Sequence, residues 1–267
     1  MASIAFQNVS VDIPVFNATN RSFKNNIISA ATGGQISPRD TKRMSVRAID
    51  GLTLQLEHGT RIGLVGHNGA GKSTILRVMA GIYAPTSGRV AVQGDVAPMF
   101  DLAFGMDPDA TGWDNIILRG RLLGFSRSEI RQRMDEIGAV SDLGAFLDMP
   151  LRTYSTGMAT RLAFAVSTAI RPEILLIDEG IGAGDAAFLQ QAKERMRSFI
   201  GEAGLLVIAS HSDELLRQWC TTALWMEHGR MRMYGGIDEV LEAYQGSLSG
   251  SKKDEASPVP DQVGEAP

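Results

Sequence analysis

The residues best placed to do chemistry are Gly66-His67-Asn68-Gly69-Ala70-Gly71-Lys72-Ser73, which stand at the spacing G-x-x-x-x-G-K-[ST]. Glycines let a chain curl tightly enough for consecutive backbone N–H groups to converge on phosphate oxygens. Lys72 adds a full cation, and the Ser73 hydroxyl supplies an oxygen ligand for Mg²⁺, with Thr74 behind it. A second group, Ile174-Leu175-Leu176-Ile177-Asp178-Glu179, ends an apolar run in two carboxylates. Asp178 suits the outer shell of an Mg²⁺ that bridges β- and γ-phosphates, beside the phosphate loop. Glu179 suits orienting and deprotonating a water in line with the γ-phosphate. His211 follows a third apolar run, Leu205 to Ala209, and can hydrogen-bond the γ-phosphate and the attacking water or Glu179. These spacings point to a site that binds ATP with Mg²⁺ and cleaves it.

Such a site needs strands that end together at one edge of a sheet. Arg61 to Val65 reads as a buried strand entering the loop, and Ser73 to Ala80 as a helix leaving it, beginning at about Gly71. Ile174 to Ile177 and Leu205 to Ala209 are apolar throughout, as central parallel strands are. The expected fold class is therefore α/β, a phosphate-loop ATPase with a mostly parallel core sheet. Residues 3–11 and 46–56 alternate as strands. Pro85-Thr86-Ser87-Gly88 is a turn before a strand over 89–93, and 223–234 reads as a hairpin around His228-Gly229. Residues 110–171 are mostly helical, with a capping box at Ser126 and Glu129. Helices are also expected from Asp185 to Ile200 and from Ser212 to Trp219.

Two segments stand apart. Residues 14–47 form a basic insertion, carrying Arg21, Lys24, Arg39, Lys42, Arg43 and Arg47 against Asp40. Within it Phe23, Ile27 and Ala31 share one face of a short helix that Gly33-Gly34 would stop. Residues 247–267, rich in Ser, Pro, Asp and Glu, are expected to be a disordered tail after an ATPase domain over 1–246.

Composition narrows the classes. The chain has 267 residues, 44% hydrophobic and 21% charged, which suits one large globular domain. Its formal net charge of −4 argues against a nucleic-acid partner. One cysteine, Cys220, excludes an internal disulfide and a multi-cysteine metal site, and suits a packed thiol in a reducing compartment. No apolar run approaches the roughly 18 residues that span a bilayer. The N-terminus lacks a basic segment followed by an apolar one, so no secretion signal is read there.

With these residues in place, the chain resembles the nucleotide-binding domain of ABC transporters over residues 3–245. Tyr154-Ser155-Thr156-Gly157-Met158 occupies the place of that family's signature motif. Ser155 and Gly157 match it, while Tyr154, Thr156 and Met158 replace its usual Leu, Gly and Gln. The resemblance implies a helical signature subdomain over about 100–171 and a small antiparallel β subdomain. It also implies that Ser155, Thr156 and Gly157 bind the γ-phosphate held by a second copy, with Asp185 in the place of the aspartate that contacts that copy. The family's adenine-stacking tyrosine is not evident near the first strand, and Phe16 or Ile13 would substitute. Its coupling-loop glutamine is missing from Met99-Phe100-Asp101-Leu102, where Asp101 is the candidate replacement as a metal-side residue.

The resemblance narrows further through Gly66-His67-Asn68-Gly69, Gly105-Met106-Asp107-Pro108, Thr111-Gly112 and Gly184-Asp185-Ala186-Ala187-Phe188. These look like the ATPase subunits that export O-antigen and other cell-surface polysaccharides in bacteria. The implied partners are a second copy of the chain, a separate membrane permease and, indirectly, a lipid-linked polysaccharide. The implied location is the cytoplasmic face of the inner membrane. In that group the insertion lies against the permease, and some members carry a C-terminal sugar-binding β-sandwich that a chain ending at Pro267 is expected to lack. Export of teichoic acid or lipid is the alternative cargo. A soluble translation-factor ATPase would pair two cassettes in one chain, and a chromosome-associated one would need long heptad insertions in the helical region.

Overall fold

The computed structural model describes residues 1–14, 45–100, 105–169, 171–178 and 186–254. Strands β1 (Ser3–Pro14) and β2 (Ser45–Glu57) pair antiparallel, and β4 (Ser87–Gln93) pairs with the other side of β1. Their apolar residues alternate: Ile4 faces Leu56 and Val92 across the sheet, and Phe6 faces Leu54 and Val90. Between them in sequence come β3 (Arg61–Val65) and helix α1 (Lys72–Met79), followed later by the short β5 (Val96–Pro98).

The middle of the chain is helical: α2 (Gly112–Leu122), α3 (Arg127–Gln132), α4 (Met134–Ser141) and α5 (Thr156–Ser167). Ser126 caps α3 and Glu129 returns the bond to the cap's own N–H, the reciprocal box expected from the sequence. The chain then enters β6 (Ile174–Ile177), α6 (Ala186–Glu202), β7 (Leu205–Ala209) and α7 (Asp213–Trp219). It closes with β8 (Thr222–Glu227), β9 (Arg230–Gly236) and α8 (Ile237–Asp254).

These strands make a second sheet in the order β5-β6-β7-β3-β8-β9, parallel except for the β8–β9 hairpin. Both faces of its centre are covered. Leu205, Val207 and Ala209 of β7 pack with α1 and the antiparallel sheet, while Leu206 and Ile208 pack with Phe199, Ile200 and Leu216 on the opposite side. A third cluster, around Ile116, Ile130, Ile137, Leu147 and Leu162, holds the helical region together.

The structure departs from the sequence reading in three places. β5 and α8 were not anticipated. α8 continues to Asp254, so helix occupies part of the tail predicted to be disordered from Ser247. The ends of the predicted insertion are strand: Pro14 and Ser45 are register partners, and Arg47 sits in β2, bound to Asp12 at 2.9 Å and Asp50 at 3.3 Å. The Asp178 strand and the phosphate-loop strand flank β7, which carries His211 at its end.

Two measurements test the packing. Phe6 is 1% exposed, so Phe6→Ala should lower the unfolding free energy by about 3–5 kcal/mol in a urea titration. Burial pushes the Cys220 thiol up to about 12. It should stay unreactive to a disulfide reagent near pH 8 until the protein unfolds.

Candidate functional site

Parallel register fixes which residues leave the sheet together. Leu64 pairs with Ala209, and Ile177 with Ile208, so Gly66, Asp178 and His211 all emerge at the carboxyl edge of neighbouring strands. β7, in the middle, brings His211 between the phosphate loop and Asp178. His211 is exposed and Asp178 half-buried. This arrangement leaves the three groups around one opening.

The loop itself is shaped from behind by three backbone segments. Gly66 has φ 143°, and a Cβ there would lie 2.2 Å from the Met226 carbonyl oxygen of β8. Gly71 has φ 111°, and a Cβ there would lie 2.6 Å from the Ala48 oxygen of β2. Only glycine fits either position. The β8–β9 turn joins the two supports: the Gly229 N–H donates to Ala70 O at 3.0 Å, and the Asp50 N–H donates to Gly229 O at 2.9 Å. His228 and Gly229 both adopt positive φ, 48° and 79°, as a tight hairpin turn requires. The His228 ring packs on His67 at a tilt, with centroids 4.8 Å and planes 54° apart. Neither Ala48 nor His228-Gly229 carried a sequence signal for this role, since each acts through its backbone or a surface ring.

The front of the loop is left for an anion. α1 has no side-chain cap and no acidic residue in its first turn. The first N–H groups of a helix have no acceptor within it, so those of Lys72, Ser73 and Thr74 face the opening with the positive end of the helix dipole. Lys72 is 8% exposed, and its Nζ donates to Gly66 O at 2.5 Å and His67 O at 3.1 Å. A buried ammonium held on the loop's own carbonyls is poised to exchange one of them for a phosphate oxygen. Asn68 and Gly69 are exposed at the rim, and Ala70 is packed beneath it.

The residues present also fit Mg²⁺. The Ser73 hydroxyl, half-buried in the first turn of α1, and the Asp178 carboxylate are hard oxygen donors. Among the described residues no group of three or more His, Cys, Asp or Glu forms a metal cage.

Ser155, Thr156 and Gly157 lie elsewhere in the chain, at the N-terminus of α5. Ser155 is the cap, accepting from the Met158 N–H at 3.2 Å, and is exposed with Thr156. A Cβ on Gly157 would meet nothing nearer than Ser155 Oγ at 3.8 Å. Nothing among the described residues demands glycine there. Tyr154, the departure from the family's leucine, has a structural account: its hydroxyl donates to Phe146 O at 2.6 Å. Room for that hydroxyl comes from Gly112, where a Cβ would lie 2.4 Å away. Burial raises the Tyr154 pKa, with Asp148 adding to it, so the phenol stays a donor.

Asn115 was missed by the sequence reading. It is fully buried in α2, accepts from the Asp107 N–H at 2.7 Å, and donates to Asp107 O and Thr111 O at 2.9 Å. It thereby fixes the turn that leads into the helical region. A lone asparagine on the apolar side of a helix was the available sign. Glu179, Asp185, Phe16 and Asp101 lie outside the described residues, as does most of the segment 14–47.

Comparison with known proteins agrees with this geometry. The ABC transporter family model matches residues 49–182, from β2 through the phosphate loop and α5 to just beyond Asp178. The chain is 45% identical over 229 residues to the O-antigen export system ATP-binding protein RfbE of Yersinia enterocolitica, covering 86% of this chain and 96% of that protein. It is 33% identical to the teichoic acids export ATP-binding protein TagH of Staphylococcus epidermidis over 246 residues, 92% of each. A dimeric ATP-binding cassette solved in a post-hydrolysis state with ADP and Pi shares the fold. Its TM-score is 0.62 at 17% identity, over 88% of this chain and 98% of that one.

Replacing Lys72 with Ala removes the cation from the cradle. Binding of a fluorescent ATP analogue should then weaken by about 10²-fold or more, a loss of the size that follows removal of a buried charged hydrogen-bond donor. Parental affinity in that variant would refute the cradle.

Proposed function

This chain belongs to the ABC transporter family of ATPases, and from that premise we propose that it powers export of a bacterial cell-surface polysaccharide. The cargo would be a lipid-linked glycan of the O-antigen kind, carried by a separate membrane permease. The observation that supports this most is the 45% identity to an O-antigen export ATPase across nearly that protein's whole length. Teichoic acid export is the second reading, favoured by the 33% identity to TagH over 92% of both chains. No helix among the described residues is long and apolar enough to cross a membrane. The permease would therefore hold the chain at the cytoplasmic face of the inner membrane.

We propose the following mechanism for these groups. ATP binds with its β- and γ-phosphates on the N–H groups of residues 69–74 and on Lys72. Mg²⁺, when bound by Ser73 and Asp178, neutralises charge that develops on the phosphate oxygens. Glu179, immediately after Asp178, orients water in line with the γ-phosphate and takes its proton, and His211 hydrogen-bonds the phosphate from the neighbouring strand. Asp101 is the residue proposed to link this side of the site to the permease, and Phe16 to stack on adenine.

The γ-phosphate would still be open on one side. Ser155, Thr156 and Gly157 offer a second helix N-terminus, with space at Gly157 that no described residue fills. We infer that a second copy presents this surface to the bound ATP, with Asp185 touching across the two-fold interface, so that two ATP molecules sit between two subunits. Hydrolysis releases the interface, and the motion reaches the permease through the helical region.

Glu179→Gln separates these steps. It should retain ATP binding, lower hydrolysis by about 10²–10⁴-fold, and accumulate an ATP-dependent dimer on size-exclusion chromatography. Hydrolysis at the parent rate would remove Glu179 as the base.

A further inference from the structure

The last turn of α5 is held by guanidinium groups from three different parts of the chain. Arg119 of α2, 3% exposed, donates from Nε and Nη2 to Ser167 Oγ at 3.2 and 2.9 Å. Arg133, between α3 and α4, donates to Ala169 O at 2.5 Å. Arg195 of α6 donates from Nε to Thr168 Oγ1 at 2.9 Å and from Nη2 to Thr168 O at 3.2 Å, and its Nη2 also reaches Glu136 Oε1 of α4 at 3.0 Å. A helix C-terminus carries partial negative charge and unsatisfied carbonyls, and the planar fork of arginine serves several acceptors at once.

Arg119 and Arg133 belong to the same helical region as α5. Arg195 does not: α6 packs on the sheet through Phe199 and Ile200. Its guanidinium therefore crosses between the sheet side of the molecule and the helical region. The contact also joins two segments that the chain keeps apart. α5 carries Ser155–Gly157 at its other end, and α6 begins directly after Asp185. A gap of about 220 Å³ beside the link is lined by Arg133, Glu136, Thr168, Arg195 and Glu202.

We propose that Arg195 is a positioning residue for ATP hydrolysis. It clasps α4 and α5 to α6, so that the Ser155–Gly157 surface and the start of α6 advance together toward a second copy. This rests on the two-copy reading above, and the experiment separates the two. ATP-driven dimerisation is followed in the Glu179→Gln protein, alone and combined with Arg195→Ala or Arg195→Lys. Binding of a fluorescent ATP analogue to the single subunit is measured in parallel.

Arg195→Ala should raise the ATP concentration for half-dimerisation by about fivefold or more, while single-subunit binding changes by less than about twofold. In the background with Glu179 intact, kcat should fall by a similar factor. Arg195→Lys keeps the charge but cannot serve Thr168 and Glu136 together, and should fall between. It also decides the matter if the alanine variant does not fold: parental dimerisation and kcat in a folded Arg195→Lys protein overturn the clasp. Parental values in a folded Arg195→Ala protein overturn it equally. Failure of the Glu179→Gln protein itself to dimerise with ATP would instead overturn the two-copy reading.

Discussion

The phosphate loop can present its N–H groups to an anion only because backbone from two other strands presses against it from behind. The Met226 oxygen leaves no room for a side chain at Gly66, and the Ala48 oxygen leaves none at Gly71. Gly229 then bonds to both Ala70 and Asp50, closing the support. The antiparallel sheet is thus part of the site through its backbone. Burial of Ile4, Phe6, Leu54 and Leu56 against α1 and β3 holds Ala48 where the loop needs it.

The sequence made the chemistry legible where local pattern and chemistry coincide. The loop spacing, the four apolar residues before Asp178 and the apolar run before His211 each specify one element and one exit point. The Ser126–Glu129 box was legible for the same reason, since both bonds form within one turn. Strand order was not. Placing β7 between β3 and β6 is a long-range choice that no window of the sequence records. β5 has three residues, too few for a period to register. α8 opens after two glycines and runs into serines, a composition that reads as tail, yet Val240 and Leu241 anchor it in the core. Tyr154 looked like a defect in a motif until Phe146 and Gly112 showed what its hydroxyl does.

The helix α5 has opposite surroundings at its two ends. At one, Ser155 caps a terminus that is exposed and poor in neighbours; at the other, Ser167, Thr168 and Ala169 are each taken by an arginine. Rigidity is placed away from the exposed end, and the polar atoms that would otherwise be orphaned inside the molecule are satisfied. An element built this way transmits a push along its axis instead of bending.

Pro14 and Ser45 face each other across β1 and β2, so the chain leaves the sheet and re-enters it at one rung of the ladder. Closure entropy grows only logarithmically with the number of residues in such an excursion. Related chains can therefore lengthen, shorten or exchange the stretch between these two rungs without disturbing Ile4, Phe6 or the catalytic edge. Changes in that stretch need no change in how the cradle handles nucleotide.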